Sequence, residues 1–360
     1  MKHRVLMVSP YFYPEGGGLE RYALWMAKKL SKKHNVSVLC ITRGDEREDF
    51  IGEIRIRRIK PLFILSNTPV SFRFVIEVAR EVKHSDFVVA HTPVPFAADI
   101  AVFFAKLKGL PVELIYHTVG LKKNSKTLDT LAELYSMTLE RFTLRGVNIT
   151  SVSKVVWEYL RQRGYNSKIV PPPIILPKKY LLRNFLKTRR NIILFVGQLG
   201  KYHRFKNLDI LLAAFSKLHK RFPDWELWVV GEGNMKKEYI NLSAELGIED
   251  KIRFLGRIDD PQSLQGIYSV ASILVLPSSF ESFGMVVLEA LASGVPVVVS
   301  PNVGAKVRIH KKNGVILREL SAAELEKEIA GLIENPRLLR KMAWIARRSV
   351  TLPSDESIHF

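Results

Sequence analysis

Cysteine is almost absent from this sequence. Cys40 is the single one in 360 residues, and it sits in the apolar run Val36 to Ile41. No internal disulfide can form, which excludes a disulfide-stapled secreted scaffold and predicts a reducing, cytoplasmic setting. Long apolar runs are also missing. No stretch approaches the 18 uncharged apolar residues of a spanning helix, and Val5 to Val8 is too short for the apolar core of a secretory signal. Acidic residues are scarce relative to basic ones, with 35 Asp and Glu against 55 Lys and Arg, and the formal net charge is +20. The excess is spread evenly, +11 over residues 1–170 and +9 over the rest. Such a field favours nucleotides, phospholipid surfaces and phosphorylated lipid carriers. No zinc-ligand spacing or nucleic-acid reader motif accompanies the charge, so nucleic acid is not expected as a partner.

What is present is a globular composition, 47% hydrophobic and 25% charged, in a chain long enough for two domains. Arg4 to Ser9 reads as a first strand. The loop after it carries Gly16, Gly17 and Gly18 and leads into a helix from Leu19 to Leu30. A glycine-rich turn lets backbone approach a ligand, and the helix N-terminus favours a phosphate or a sugar there. Glu20 reads more simply as a first-turn carboxylate on the helix dipole. Strands recur at Asn35–Thr42, Phe87–His91, Val112–His117 and Asn148–Ser153, with helical segments expected between them. That alternation predicts an α/β fold with a parallel sheet covered on both faces. Two of these strands finish in histidine, His91 and His117, at the sheet edge where open α/β folds bind ligands.

After the helix Ser153 to Gly164, the three prolines Pro171, Pro172 and Pro173 and the basic cluster KKYLLRNFLKTRR break the pattern. They predict domains at 1–172 and 191–350, a linker at 173–190 and a tail at 351–360. The cluster reads as a solvated linker or as a membrane-surface contact. The second half repeats the strand and helix pattern. Asn191–Val196 is followed by VGQLGKYHRFKN and a helix from Leu208 to Phe222, so Arg204 and Lys206 stand just before a helix N-terminus, suited to a pyrophosphate. Strands at Trp225–Val230 and Ile252–Leu255 end at Gly231 and Gly256.

The segment Ile273 to Ser300, ILVLPSSFESFGMVVLEALASGVPVVVS, reads as strand, loop, helix and strand. It holds only two charges, Glu281 in the loop and Glu289 in the helix, eight positions apart. A carboxylate in so apolar a segment needs donors in place of lost water, and Leu288, Ala290, Leu291 and Ala292 offer none. Hydroxyl-rich ligands do.

This segment resembles the E-x7-E motif of the retaining glycosyltransferases of the GT4 family, and Pro14 to Arg21 is similar to that family's P-x-x-G-G-x-E-R. The likeness runs through both halves in order. It implies a GT-B fold, in which two Rossmann-like domains face each other across a cleft, the first mainly for the acceptor and the second for the donor. It implies transfer of a hexose from a UDP-, GDP- or ADP-sugar to a hydroxyl of a glycan or lipid-linked acceptor, with retained anomeric configuration and no cofactor or metal. No Asp-x-Asp of the other glycosyltransferase fold occurs in the sequence. On this resemblance Arg204, Lys206 and the amides near Gly17, Gly18, Phe283 and Gly284 hold the diphosphate. Glu281 holds the sugar hydroxyls, Glu289 the ribose and Ile258 the base, while His117 touches the sugar or assists the leaving group. Most relatives carry the arginine directly after the strand's glycine, where this chain has Gln198. Of the motif expected in PNVGAKVRIHKKNGVIL, only Gly304 remains. The family's long crossover helix is not recognisable in TLPSDESIHF, an expectation of a looser closed state. A peripheral place at the inner face of the cell membrane fits the charge. Two alternatives stay open: a catalytically silent protein of this fold holding an anionic lipid or nucleotide, and a nucleotide-sugar 2-epimerase, for which no further acid/base set is evident.

Overall fold

A computed structural model of the chain describes residues 2–65, 68–92, 94–119, 126–172 and 189–349. They form two units, 2–172 and 189–349. Much of the basic cluster at 178–190, and the tail, lie outside the described residues.

The first unit is built on strands β1 (Arg4–Ser9), β2 (Asn35–Ile41), β3 (Arg47–Ile51), β4 (Ile54–Ile59), β5 (Phe63–Leu65), β6 (Thr68–Val70), β7 (Phe87–Thr92), β8 (Val112–Tyr116), β9 (Asn148–Ser151) and β10 (Lys168–Ile169). Its helices are α1 (Gly18–Ser31), α2 (Phe72–Lys83), α3 (Ala97–Lys108), α4 (Lys126–Met137), α5 (Leu139–Leu144) and α6 (Lys154–Gln162). The main sheet runs β10-β9-β8-β7-β1-β2-β4-β3 and is parallel except for β3, which returns antiparallel to β4. Between β2 and β7 helical structure alone was expected. The chain instead makes four strands before its one helix there, a β3–β4 hairpin and a small β5–β6 ribbon.

Arg58 shows why IRIRRI did not read as a plain amphipathic strand. It is about 1% exposed. Its guanidinium donates to Asp49 Oδ2 at 2.6 Å and to the carbonyls of Phe12 at 3.0 Å and Tyr13 at 2.5 Å. A buried cation is tolerable only with its donors satisfied, and here three acceptors meet it. The same contact draws Asp49 below the ordinary carboxylate range. Glu15 adds a second tether, accepting from Thr42 Oγ1 at 2.6 Å and the Arg43 amide at 2.8 Å. The loop after β1 is therefore anchored by β3, β4 and the end of β2.

The second unit has β11 (Ile192–Val196), β12 (Glu226–Val230), β13 (Ile252–Gly256), β14 (Ile273–Leu276), β15 (Val297–Val299) and β16 (Gly314–Ile316). With them come α7 (Leu208–Arg221), α8 (Lys236–Glu245), α9 (Pro261–Val270), α10 (Met285–Ala292), α11 (Ala322–Ile333) and α12 (Pro336–Ser349). All six strands are parallel, in the order β13-β12-β11-β14-β15-β16. Successive side chains of a strand face opposite sides. In β11, Ile193 and Phe195 enter one core while Ile192, Leu194 and Val196 enter the other. Both faces are buried, so the strand is apolar throughout rather than alternating.

Arg189 fastens this unit from below the sheet's ligand edge. Its guanidinium donates to the carbonyls of Tyr268 at 2.6 Å and Ser293 at 2.5 Å, and also to that of Ala271. These carbonyls close the C-terminal ends of α9 and α10, where a cation complements the dipole. Burial lowers the guanidinium to about 10, still protonated at neutral pH.

Replacing Arg58 by leucine removes a buried donor from Asp49 and from the carbonyls of Phe12 and Tyr13, leaving Asp49 to Arg47 and Phe12 O to the Glu15 amide. We expect a loss of about 3 kcal/mol in chemical denaturation of the chain, the usual cost of breaking a buried charge contact. An unchanged denaturation midpoint would show that the tether contributes nothing.

Candidate functional site

In each unit the order of parallel strands reverses beside the unit's first strand. In the second unit the reversal falls between β11 and β14; in the first it falls between β1 and β7. Loops leaving adjacent strands at such a point diverge to opposite faces and open a crevice at the carboxyl edge. Arg204, Lys206 and Glu281 lie on those loops in the second unit, and Gly17 lies on the loop after β1 in the first.

The loop after β11 ends in a 3-10 turn, Lys201–Lys206, and the loop after β14 carries Glu281. Lys206 Nζ donates to Glu281 Oε2 at 2.8 Å, with both side chains half-buried. Asn207, held in the left-handed conformation between that turn and α7, donates its Nδ2 to Pro277 O at 2.8 Å and Ser279 Oγ at 2.7 Å. The Ser279 amide returns a bond to Phe205 O at 2.7 Å. The two loops are thus stitched by backbone and side chain, and the ion pair sits on a fixed frame. Arg204 occupies the same turn, exposed and without an ion-pair partner among the described residues.

Glu281 is held from its other side by residues beyond β15. Its amide donates to Asn302 O at 3.1 Å, and Gly304 N donates back to Glu281 O at 2.9 Å. Gly304 is where the chain must lack a side chain: a Cβ there would come within 2.1 Å of Ser282 O. That contact gives a physical reason for the one recognisable glycine in an otherwise altered loop. Gly284 then adopts φ +89° and opens α10, so the free amides at that helix start face the same edge as Lys206. Phe283 is buried in the adjoining core. Ile258, past the end of β13, is half-buried against the same core.

Glu289 lies within α10, 7% exposed. The donor that its own helix cannot supply comes from α9, where Tyr268 Oη donates to Glu289 Oε2 at 2.9 Å. Sequence reasoning did not single out Tyr268. A tyrosine two residues before the end of a helix gives no sign of its partner until α9 packs on α10.

In the first unit, Gly17 N donates to Glu20 Oε2 at 2.6 Å, so the amide nominated for a phosphate is capped by the chain's own carboxylate. Burial raises the Glu20 carboxyl above its usual range. An anion can take that amide only when Glu20 swings away. Gly18 begins α1 next to it and is exposed. At the end of β8 His117 is half-buried, and its Nε2 lies 2.8 Å from Nδ1 of fully buried His91 at the end of β7. Both histidines stood out in the sequence as strand ends and only His117 was given a role; their pairing across adjacent strand ends depends on register. Among the described residues no cluster of three or more His, Cys, Asp or Glu could hold a metal, and no helix is long and apolar enough to cross a membrane.

Comparison with known proteins agrees with this architecture. Residues 16–176 match the family Glycosyltransferase Family 4, and residues 181–349 match Glycosyl transferases group 1. An uncharacterized glycosyltransferase of Haemophilus influenzae is 29% identical over 339 residues, 91% of this chain and 90% of that protein. The phosphatidyl-myo-inositol mannosyltransferase of Mycobacterium tuberculosis is 25% identical over 313 residues, 82% of this chain and 77% of that protein. The solved structure of Anabaena HepE in complex with UDP matches with a TM-score of 0.69 at 20% identity, covering 97% of this chain and 94% of that one, a likeness of fold. The chain belongs to the GT4-like glycosyltransferases of GT-B fold, and it is an enzyme of glycosyl transfer.

Replacing Gly304 by alanine should push Ser282 and displace the loop that carries Glu281. Overpacking of this kind costs about 1–3 kcal/mol. Denaturation of the purified variant, read beside nucleotide binding, checks this; an unaltered midpoint with unaltered binding would show that the loop yields without consequence.

Proposed function

We propose that the enzyme transfers a hexose from a nucleoside diphosphate sugar to a hydroxyl acceptor with retention at the anomeric carbon. The observation that carries this reading is the Lys206–Glu281 pair at the strand reversal, beside the free amides that open α10. Leaving-group departure builds negative charge on the diphosphate and positive charge on the sugar. A cation and oriented amides stabilise the first, and they act most strongly where they are preorganised out of bulk water.

In this reading Lys206 and Arg204 neutralise the diphosphate, with the amides at Phe283 and Gly284. Once Glu20 moves aside, the amides at Gly17 and Gly18 are free to donate to an anion. Glu281 accepts hydrogen bonds from sugar hydroxyls, and its bond to Lys206 keeps it aimed. Glu289 takes the ribose hydroxyls while Tyr268 satisfies its other face. Ile258 offers an apolar contact to the base, and His117 touches the sugar or assists the leaving group. The departing phosphate oxygen deprotonates the acceptor. Charge neutralisation by side chains and amides makes a metal unnecessary to this scheme.

UDP is the first base to test, because HepE binds it. GDP and ADP sugars are the alternatives. A glycan or lipid-linked acceptor is favoured by the mycobacterial relative and by the net charge of +20, which also suits a cytoplasmic enzyme working at an anionic membrane surface.

A thermal-shift and hydrolysis screen with UDP, GDP, ADP and their hexose conjugates tests the assignment. One nucleotide should raise the melting temperature, and Lys206→Ala and Glu289→Ala should each abolish that shift. Lys206→Ala should also lower kcat about 10²-fold or more, the range seen when one preorganised electrostatic group is removed. No response to any nucleotide would sink these residue roles.

A further inference from the structure

The histidines that close β7 and β8 act as one unit. His91 Nδ1 and His117 Nε2 are 2.8 Å apart and share a single hydrogen. The rings stack with centroids 5.1 Å apart and planes inclined by 29°. Tyr22 of α1 sets its ring edgewise to both, at 5.2 Å from His117 and 6.3 Å from His91. Its hydroxyl is engaged elsewhere, donating to Val170 O at 3.1 Å. His91 is fully buried and its Nε2 has no hydrogen-bond partner among the described residues. Burial keeps both rings neutral, lowering His91 to about 3 and His117 well below the usual histidine range, the latter also through its neighbour.

Two neutral imidazoles joined by one bond allow only two hydrogen assignments. If His117 donates, His91 must carry its remaining hydrogen on Nε2, as an orphaned N–H inside the core. If His91 donates from Nδ1, its Nε2 is left as a bare lone pair. Buried N–H groups without partners are the rarer of the two defects, which selects the second assignment. His117 then carries its hydrogen on Nδ1, the nitrogen that makes no bond to the described residues.

We propose that His91 is a positioning residue that fixes His117 in the Nδ1–H tautomer, so that His117 meets the substrate as a neutral hydrogen-bond donor and not as a base. The inference rests on the placement of His117 at the donor sugar, and it sets the chemistry of what His117 contacts. The partner must be an acceptor oxygen, either a sugar hydroxyl or the bridging oxygen of the leaving diphosphate. A base at this position would need its lone pair on Nδ1, which the bond from His91 denies it.

Imidazole nitrogen NMR of the full chain without ligand reads the tautomer directly. His117 Nδ1 should resonate as a pyrrole-type nitrogen and Nε2 as a pyridine-type one. His91→Phe keeps a ring but removes the donor, and should lower kcat about tenfold or more, as expected for a misoriented catalytic proton, with the donor KM nearly unchanged. His91→Asn, whose amide nitrogen can take the place of Nδ1, should recover most of the rate. A pyridine-type Nδ1 in the unsubstituted chain would overturn the proposal, and so would a folded His91→Phe variant with full kcat. Should His91→Phe not fold, the NMR of the unsubstituted chain decides. Nucleotide binding measured on the same sample separates the two readings: failure of the transferase roles appears as absent binding, and failure of this inference as a pyridine-type Nδ1 in a chain that binds.

Discussion

A parallel sheet covered on both faces sends every strand's carboxyl end to the same edge, and nearly everything of interest in this enzyme follows from that constraint. Side chains within the strands are committed to the two cores, as the division of β11 between them shows. Arg204, Lys206 and Glu281 lie on loops at the edge, and the point of strand reversal decides which loops stand beside a crevice. In the second unit these are the loops after β11 and β14, and their closest meeting is the bond from Lys206 to Glu281. Half-burial gives that pair more electrostatic weight than a surface pair, because less water screens it.

The frame around the pair is made by groups outside the pair itself. Asn207 ties one loop to the other through Pro277 O and Ser279 Oγ. Gly304 lets the segment after β15 press against Ser282. Arg189 gathers the carbonyl ends of α9 and α10, the helices that bring Tyr268 and Glu289 together. Arg58 and Glu15 do the same for the loop after β1. A buried cation bonded to carbonyls fixes a loop more firmly than apolar packing alone, since movement would strand a charge and its acceptors together.

Legibility in the sequence followed the range of the interactions. The apolar strands, the glycine-rich turn, the position of Arg204 and Lys206 before α7 and the spacing of Glu281 and Glu289 are local, and the sequence carried them openly. The β3–β4 hairpin was not seen, because Arg55, Arg57 and Arg58 interrupt an alternation that their partners Glu81, Glu77 and Asp49 make tolerable only after folding. The isolation of Glu289 read as a demand for donors, and one of them proved to be Tyr268, 21 residues away. The amide at Gly17 was nominated for an anion, and Glu20 holds it instead, in accord with the simpler reading of that carboxylate.

By itself, then, the sequence determined the fold class, the family and the residue types at the strand ends, because these depend on patterns repeated over a few residues and on motifs contiguous in the chain. Tertiary structure alone decided which of those residues meet. Lys206 reaches Glu281 across 75 positions, and His91 reaches His117 across 26. Such pairings are set by strand order and register, and a shift of one residue in either strand would turn the side chains to opposite faces.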